Sequence, residues 1–428
     1  MRHSLDTYEL YASESFLSYT AKTKVRMKEK VDIDVLTHAV NIAIKRYPYF
    51  AVEVSIADDN SYELIPNSRE VVVIPTRKKL PNVGSKEVNH HLLFIDVEDK
   101  DIYFNISHSL CGGKGFLPWV MTSVYQYVVE KYHVDPIAPN IRKPNSELLP
   151  TEAEYPNVDM LTNDEPILEY KQNKKPAILI WDYLNGLFNP FKRRPIYYQL
   201  SFNQSDIISF SKNNDSSVTA FFLIVMAKAL DKVLPKRIKV IGGDTAHNPR
   251  EDINMPYCHS DMLTRFHINY ERKHLKKDMM TLGTVTRSQI YFQIDPAISK
   301  ESLRKMLLIN EAIDQVPTLK KKKAYFRKYN VRTGKGSNGH GTYTVHYTGK
   351  EEWGEVGNYI ESYVIIVEGH ALIEITSMEN KIFASLMQLV KNTKYIKALG
   401  DVLNELGISY QLEGPYPKNM VKHELPKR

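Results

Sequence analysis

Ile102-Tyr103-Phe104-Asn105-Ile106-Ser107-His108-Ser109-Leu110-Cys111-Gly112-Gly113-Lys114-Gly115-Phe116 passes from one hydrophobic period to another. Ile102, Phe104 and Ile106 alternate with Tyr103, Asn105 and Ser107, as in a half-buried strand. Phe116, Trp119, Val120, Val124, Tyr127 and Val128 then recur at helical spacing. Between the two runs, Gly112, Gly113 and Gly115 permit backbone angles closed to other residues, so a sharp turn is expected that holds His108 at the strand's end. An imidazole there, with an ordinary pKa of roughly 6.5, is mostly neutral at pH 7 and can take a proton from an incoming nucleophile.

Working outward, a short strand precedes a helix that Asp32 can cap and that buries Val35, Leu36, Ala39, Val40 and Ala43. Pro48 ends it, because the residue before a proline is pushed out of helical geometry. Strands are expected at about 51–56, 71–74, 92–97 and 101–107, followed by a helix over 115–132. From Pro136 to about Pro195 the periodicity weakens among prolines and polar clusters, which reads as a linker. Regular structure resumes with a strand at 196–202, a helix near 205–212 and a strong helix opened by Ser217. Beyond it the pattern predicts strands at 237–242 and 289–293 and a helix at 299–315. Strands at 342–347, 362–367 and 371–376 then lead to helices near 379–390 and 395–406, the last stopped by Gly407. Strands and helices mix in each half, the pattern of an α+β protein with mixed sheets.

A chain of 428 residues exceeds what one core fills comfortably, so two domains are expected, divided as 1–175, with the linker from about 136, and 176–428. No run of eighteen apolar residues occurs, and MRHSLDTYELYASESF lacks the apolar centre of a signal peptide, so a soluble, cytoplasmic protein is expected. Two cysteines, Cys111 and Cys258, cannot build a disulfide framework or a four-cysteine zinc site. With no His-x-x-x-His or Cys-x-x-Cys either, no metal is expected. The net charge of +7 gathers partly in Lys320 to Lys323, in Lys192-Arg193-Arg194 and in the tail, which read as solvated faces. No aromatic-basic motif accompanies them, and nucleic acid is not expected as a partner.

On these residues the chain resembles the chloramphenicol acetyltransferase-like superfamily, which includes condensation domains of nonribosomal peptide synthetases and free-standing alcohol acetyltransferases. The family carries His-x-x-x-Asp-Gly after a strand; here His108 matches the histidine and Gly113 the glycine, while Gly112 stands in the place of the aspartate. Leu36 to Phe50 (LTHAVNIAIKRYPYF) looks like the family's first helix with its Arg-x-Pro-x-Phe ending. Helix 217–230 with Asn248-Pro249-Arg250 looks like the start of its second half, and Tyr347 to Lys350 lies where the family has a segment near the bridge between domains. The resemblance implies two half-domains in a V around a central tunnel, with His108 at its middle. It implies transfer of an acyl group from a thioester, acyl-CoA or a carrier protein's phosphopantetheine, to a hydroxyl or amine, with no permanently bound cofactor. His108 would then act as general base, a role worth roughly 10²- to 10⁴-fold.

Gly112 departs from that pattern. The family's aspartate is read as structural, paired with an arginine that here would be Arg250. A buried arginine without its carboxylate costs about 3–5 kcal/mol, so Arg250 is expected to be solvated or paired with Asp244, Glu251 or Asp252. Alternatively it binds an anionic group of the substrate in the space the aspartate vacates. Cys111 reads either as an acylable thiol near the histidine or as a small residue filling a core gap. Ser107 and Ser109 flank His108, and Gly113 is expected to allow close approach at the turn. His90, His91 and His340 are weaker candidates, and Gly334 to Gly341 lacks the Gly-Lys-Ser/Thr ending of a phosphate cradle. Lys320 to Lys323 and Arg327 could meet the phosphates of coenzyme A or an acidic carrier protein. A second function class follows from the missing aspartate: a protein that binds a thioester, lipid or partner without turnover.

Overall fold

In the computed structural model, the described residues are 6–13, 19–162, 166, 167, 176, 179, 182, 184, 193–329 and 341–426. The first half opens with strand β1 (Thr20–Met27) and helix α1 (Ile33–Ala43), whose Asp32 cap accepts the N–H groups of Asp34 and Val35. Strands β2 (Val52–Ile56) and β3 (Tyr62–Pro66) form a separate ribbon. Strands β4 (Val73–Pro75), β5 (Leu93–Glu98) and β6 (Asp101–Ser107) then lead into helix α2 (Gly113–Tyr132). α1 and α2 bury Leu36, Val40, Trp119 and Val124 in one core with Ile95 and Phe104 of the sheet.

The second half contains β7 (Arg193–Asn203), α3 (Gln204–Asn213), α4 (Val218–Val233), β8 (Val240–His247) and β9 (Thr264–Glu271). Helices α5 (Met279–Gln293), α6 (Pro296–Asp314) and α7 (Leu319–Tyr329) follow. Then come β10 (Tyr343–Glu351), β11 (Ile360–Val367), β12 (Leu372–Met378), β13 (Lys381–Val390), α8 (Lys394–Glu405) and β14 (Gln411–Pro417). A seven-stranded mixed sheet runs β14-β7-β13-β12-β10-β8-β9. Its core gathers Phe221, Ile241, Tyr343, Ile373, Leu386 and Leu399.

The other large sheet runs β11-β1-β6-β5-β4, so β11, deep in the second half of the sequence, pairs antiparallel with β1. Tyr363, Val364 and Ile365 accordingly belong to the first core. β6 is the central strand, with its end paired through Thr20 and Ser107. The expected α+β class with two half-domains is the observed one.

Two local expectations fail for stated reasons. Residues 289–293, expected as a strand, close helix α5, which Asp278 opens by accepting the Thr281 N–H. Residues 381–390, expected as a helix, form β13, in which every residue after Lys381 is buried. A strand covered on both faces loses its alternation and reads like a buried helix.

Candidate active site

β6 delivers His108 to a turn that is pinned on every side. The His108 N–H donates to the carbonyl of Tyr19 at 2.9 Å, and the Leu110 N–H donates to that of Ser107 at 3.1 Å. Ser107 and Ser109 are buried, their hydroxyls 2.5 Å apart, and the Ser107 Oγ also accepts the Ser109 N–H at 3.1 Å. His108 itself is half-buried. The two serines therefore brace the turn from inside rather than face outward.

The glycines after the turn supply room, not unusual angles. None of Gly112, Gly113 and Gly115 has a positive φ, and Gly112 sits at φ −84°, ψ 176°, open to any residue. A Cβ on Gly113 would meet nothing nearer than Ile365 Cδ1 at 3.9 Å, so the close approach expected there is absent. It occurs instead on either side. A Cβ on Gly115 would fall 1.7 Å from the carbonyl oxygen of His259, and one on Gly112 would fall 2.6 Å from Oδ1 and 2.8 Å from Cγ of Asp261. A carboxylate from the second half of the chain thus occupies the space in which a side chain at 112 would stand.

Asp261 belongs to a loop, Cys258 to Asp261, that the second half presses onto the first. The Ser260 hydroxyl donates to Asp6 at 2.5 Å and the Asp261 N–H donates to the same carboxylate at 2.8 Å. The His259 ring stacks on Tyr49 at 4.1 Å, and its Nδ1 lies 2.7 Å from the Glu152 carbonyl. Burial pushes the His259 pKa down to about 4, so the ring is neutral. Glu152, fully buried within the stretch read as a linker, receives both guanidinium arms of Arg46 at 2.8 Å, Arg142 at 3.0 Å and the Tyr49 hydroxyl at 2.5 Å. The Arg-x-Pro-x-Phe ending at Arg46 to Phe50 thereby anchors the crossover and floors the loop. Neither Asp261 nor His259 was among the sequence candidates, although a Cys-His-Ser-Asp run just after Arg250 was there to be seen.

Arg250 contradicts its expectation. It is 4% exposed, yet no carboxylate lies within ion-pair distance of it among the described residues. Its Nε and Nη2 donate to the carbonyls of Cys258 at 2.7 Å and Ser260 at 2.6 Å, and its Nη1 donates to Asn248 Oδ1 at 2.8 Å. Asp244 faces His267, Asp252 faces His247 and Glu251 is exposed. Neutral oxygens with their dipoles turned inward replace the missing anion, and the arginine's work is to fold the loop that carries Asp261. The space beside Gly112 is filled by Asp261 and is not open to a substrate anion.

Arg250 also lines a cavity of about 280 Å³ between α2 and the second half, together with Lys114, Met121, Arg142, Asn248 and Tyr257. Lys114 crosses to Glu351 at 2.5 Å, and burial still holds the Glu351 carboxyl above its ordinary range. Tyr347 to Lys350 lies in β10 at a bulge opposite β12, with Gly349 at φ +93° beside the Lys114 ammonium.

Cys111 is buried in the first core, and burial raises its thiol pKa well above the ordinary value, which keeps it protonated and suits the packing role. His91 is buried, with Nε2 2.8 Å from the Arg69 carbonyl, one residue before Leu92, whose carbonyl accepts the Ser107 N–H at 2.9 Å. Lys322 is not solvated: it is fully buried, donating to Ser61 Oγ at 2.8 Å and to the Asp314 carbonyl at 3.0 Å. Lys320, Lys321 and Arg327 are exposed. Of the loop Gly334 to Gly341, the residues Gly334 to His340 lie outside the described residues, as does Lys192. In the tail, Lys418 is 1% exposed, against the solvated reading.

That tail brings a second histidine to the turn. His423 Nε2 lies 2.6 Å from Ser107 Oγ. Burial and the neighbouring His108 push the His423 pKa down to about 3. Nothing in the local sequence announces this, because 423 reaches 107 only through tertiary pairing.

No family model and no curated protein sequence matches the chain. Solved structures do. F. graminearum TRI101 complexed with coenzyme A and T-2 mycotoxin superposes with a TM-score of 0.58 at 10% identity, covering 95% of this chain and 98% of that one. TRI3 trichothecene 15-O-acetyltransferase from Fusarium sporotrichioides gives 0.57 at 12% identity, covering 95% and 93%. The epimerization domain from the third module of tyrocidine synthetase B gives 0.54 at 10% identity, covering 94% and 92%. Over nearly its whole length, the chain therefore shares its two-domain fold with TRI101, TRI3 and this epimerization domain.

Proposed function

We propose that this protein is an acyltransferase that moves an acyl group from a thioester to a hydroxyl or amine, with His108 as general base. The observation that carries the reading is the position of His108: half-buried, at the end of the central strand β6 and the entrance to α2, in a fold shared with an acetyltransferase and with a protein that binds coenzyme A. His108 takes the proton from the acceptor's O–H or N–H as the acceptor's lone pair forms a bond to the thioester carbonyl carbon. The tetrahedral intermediate collapses with cleavage of the carbon–sulfur bond, and the leaving thiolate recovers the proton from the imidazolium. Ester or amide and free thiol result, and His108 returns to its neutral form.

Acyl-CoA is the donor we favour, entering a tunnel between half-domains divided near 175 and 176, with β11 returning to the first. The cavity bordered by Lys114, Arg142 and Arg250 is lined by Glu351 and Glu352 as well, so its mixed charge suits a polar portion of donor or acceptor. The reading as a binding protein without turnover rested on the missing aspartate, and Asp261 now stands in that space. No helix among the described residues is long and apolar enough to cross a membrane.

The test is thiol release from a panel of acyl-CoAs with alcohol and amine acceptors, for wild type and His108→Ala. A fall of about 10²- to 10⁴-fold in the variant is expected. Equal rates in the two proteins would remove His108 from the chemistry, and equal inertness would favour the binding protein.

A further inference from the structure

The segment that follows β14 crosses from the second half-domain to the first and is fastened along its length. The Lys418 ammonium donates to the carbonyls of Val367 at 3.3 Å and Gly369 at 3.2 Å. Thr20 Oγ1 donates to the Val421 carbonyl at 2.8 Å. Val83 and His423 form a parallel bridge, in which the Val83 N–H donates to Lys422 at 2.9 Å and the Glu424 N–H donates to Val83 at 2.8 Å. Gly84 is required beside it: its φ is +81°, and a Cβ there would fall 2.6 Å from the Glu424 carbonyl oxygen. Leu425 ends the segment in the first core.

These contacts fix where His423 points. Its Nε2 meets Ser107 Oγ at 2.6 Å, and that oxygen in turn meets the hydroxyl and the N–H of Ser109. The imidazole, the two hydroxyls and the turn form one hydrogen-bonded chain that brackets His108 from both sides in sequence. Its Nδ1 is buried without a hydrogen-bond partner among the described residues, a cost that a purely space-filling residue would not carry.

We propose that His423 is a positioning residue: through Ser107 it holds the 107–109 turn, and with it the His108 imidazole, in the geometry that the acyl transfer needs. This rests on the reading of His108 as the base. His423 would act through Ser107 and need not touch substrate, so its loss should lower kcat and leave KM nearly unchanged. A displacement of about 1 Å at a reacting group can cost up to about 100-fold, which bounds the expected fall at about 10- to 100-fold.

The test compares His423→Phe, which keeps a ring and removes the hydrogen bond, with His423→Gln, which restores a polar group near the Nε2 position. Both are made in the full chain and beside His108→Ala. The expected result is a kcat loss in His423→Phe with recovery in His423→Gln, together with a shifted His108 imidazole signal in histidine-labelled NMR spectra of the Phe variant that returns in the Gln variant. An unchanged His108 signal in both variants overturns the proposal, whatever the activity. A His108→Ala protein as active as wild type overturns the general-base reading instead. A kcat loss shared equally by the Phe and Gln variants, with the His108 signal unmoved, assigns His423 to packing alone.

Discussion

Gly112→Asp would put a second carboxylate where Asp261 already sits. The backbone at 112 has an ordinary extended geometry, so no conformational strain enters and the whole effect is steric and electrostatic. A Cβ at 2.6 Å from Oδ1 and 2.8 Å from Cγ of Asp261 forces a displacement, and overpacking of this kind costs about 1–3 kcal/mol. Two carboxylates about 4 Å apart repel by about 4 kcal/mol at an effective dielectric constant near 20. Protonating one of them at pH 7 instead costs a similar amount, about 1.36 kcal/mol for each unit above its ordinary pKa. The single variant should therefore lose about 5 kcal/mol or more. Asp261→Gly alone gives up the contact from the Leu263 N–H at 3.3 Å and some packing, about 1–2 kcal/mol. In Gly112→Asp/Asp261→Gly the carboxylate changes sides, the clash disappears, and stability should return to within about 2 kcal/mol of wild type. Urea unfolding followed by tryptophan fluorescence measures all four corners of the cycle. A Gly112→Asp protein as stable as wild type, or a double variant no more stable than Gly112→Asp, would refute the exchange.

Gly115→Ala should be damaging on the same logic without any charge, since the His259 carbonyl oxygen lies 1.7 Å from the new methyl; thermal unfolding should show a large loss or no folded protein, and a neutral result would mean that the 258–261 loop is free to move. Arg46→Met takes both guanidinium arms from the buried Glu152 carboxylate but leaves it Arg142 and the Tyr49 hydroxyl, and should cost about 1.5–3 kcal/mol, measured by the urea midpoint at constant slope. His259 is neutral when folded, with its pKa near 4, while the unfolded chain takes up a proton near 6.5, so stability is complete above pH 6.5 and falls as the pH drops toward 4. The slope should approach about 1.4 kcal/mol per pH unit from this residue, with His423 adding to it, and His259→Phe should flatten the curve. Cys111 should resist iodoacetamide at pH 8 in the folded protein and react in urea; rapid labelling of the native thiol would revive it as a nucleophile.

The strand-turn-helix unit around His108 was legible because each part carries its own local signal: alternation in β6, helical spacing in α2, glycines between. The capping residues Asp32 and Ser217 act as their types suggest. What stayed hidden was set by partners distant in sequence. β13 has no alternation because both of its faces are covered, and β14 earns its place only as the edge strand beside β7. Gly112 reads as a defect until Asp261 is seen against it, 149 positions on by their numbers, and His423 is invisible until the parallel bridge to Val83 carries it to Ser107. The glycines misled in a different way. Sequence shows that a Cβ is absent but not whether angle or room required it: Gly112 and Gly115 are needed for room, and Gly113 for neither.

The loan of β11 to the first sheet has a consequence for biosynthesis and for dissection of the molecule. Until residues 360–367 emerge, β1 has no neighbour on one side, and a chain truncated near 175 would leave that backbone edge, Ala21 to Met27, open to pairing with other copies. The first half-domain is thus not a free-standing module. Its sheet closes only after most of the polypeptide has been made, so cut-down fragments should aggregate where the entire chain does not.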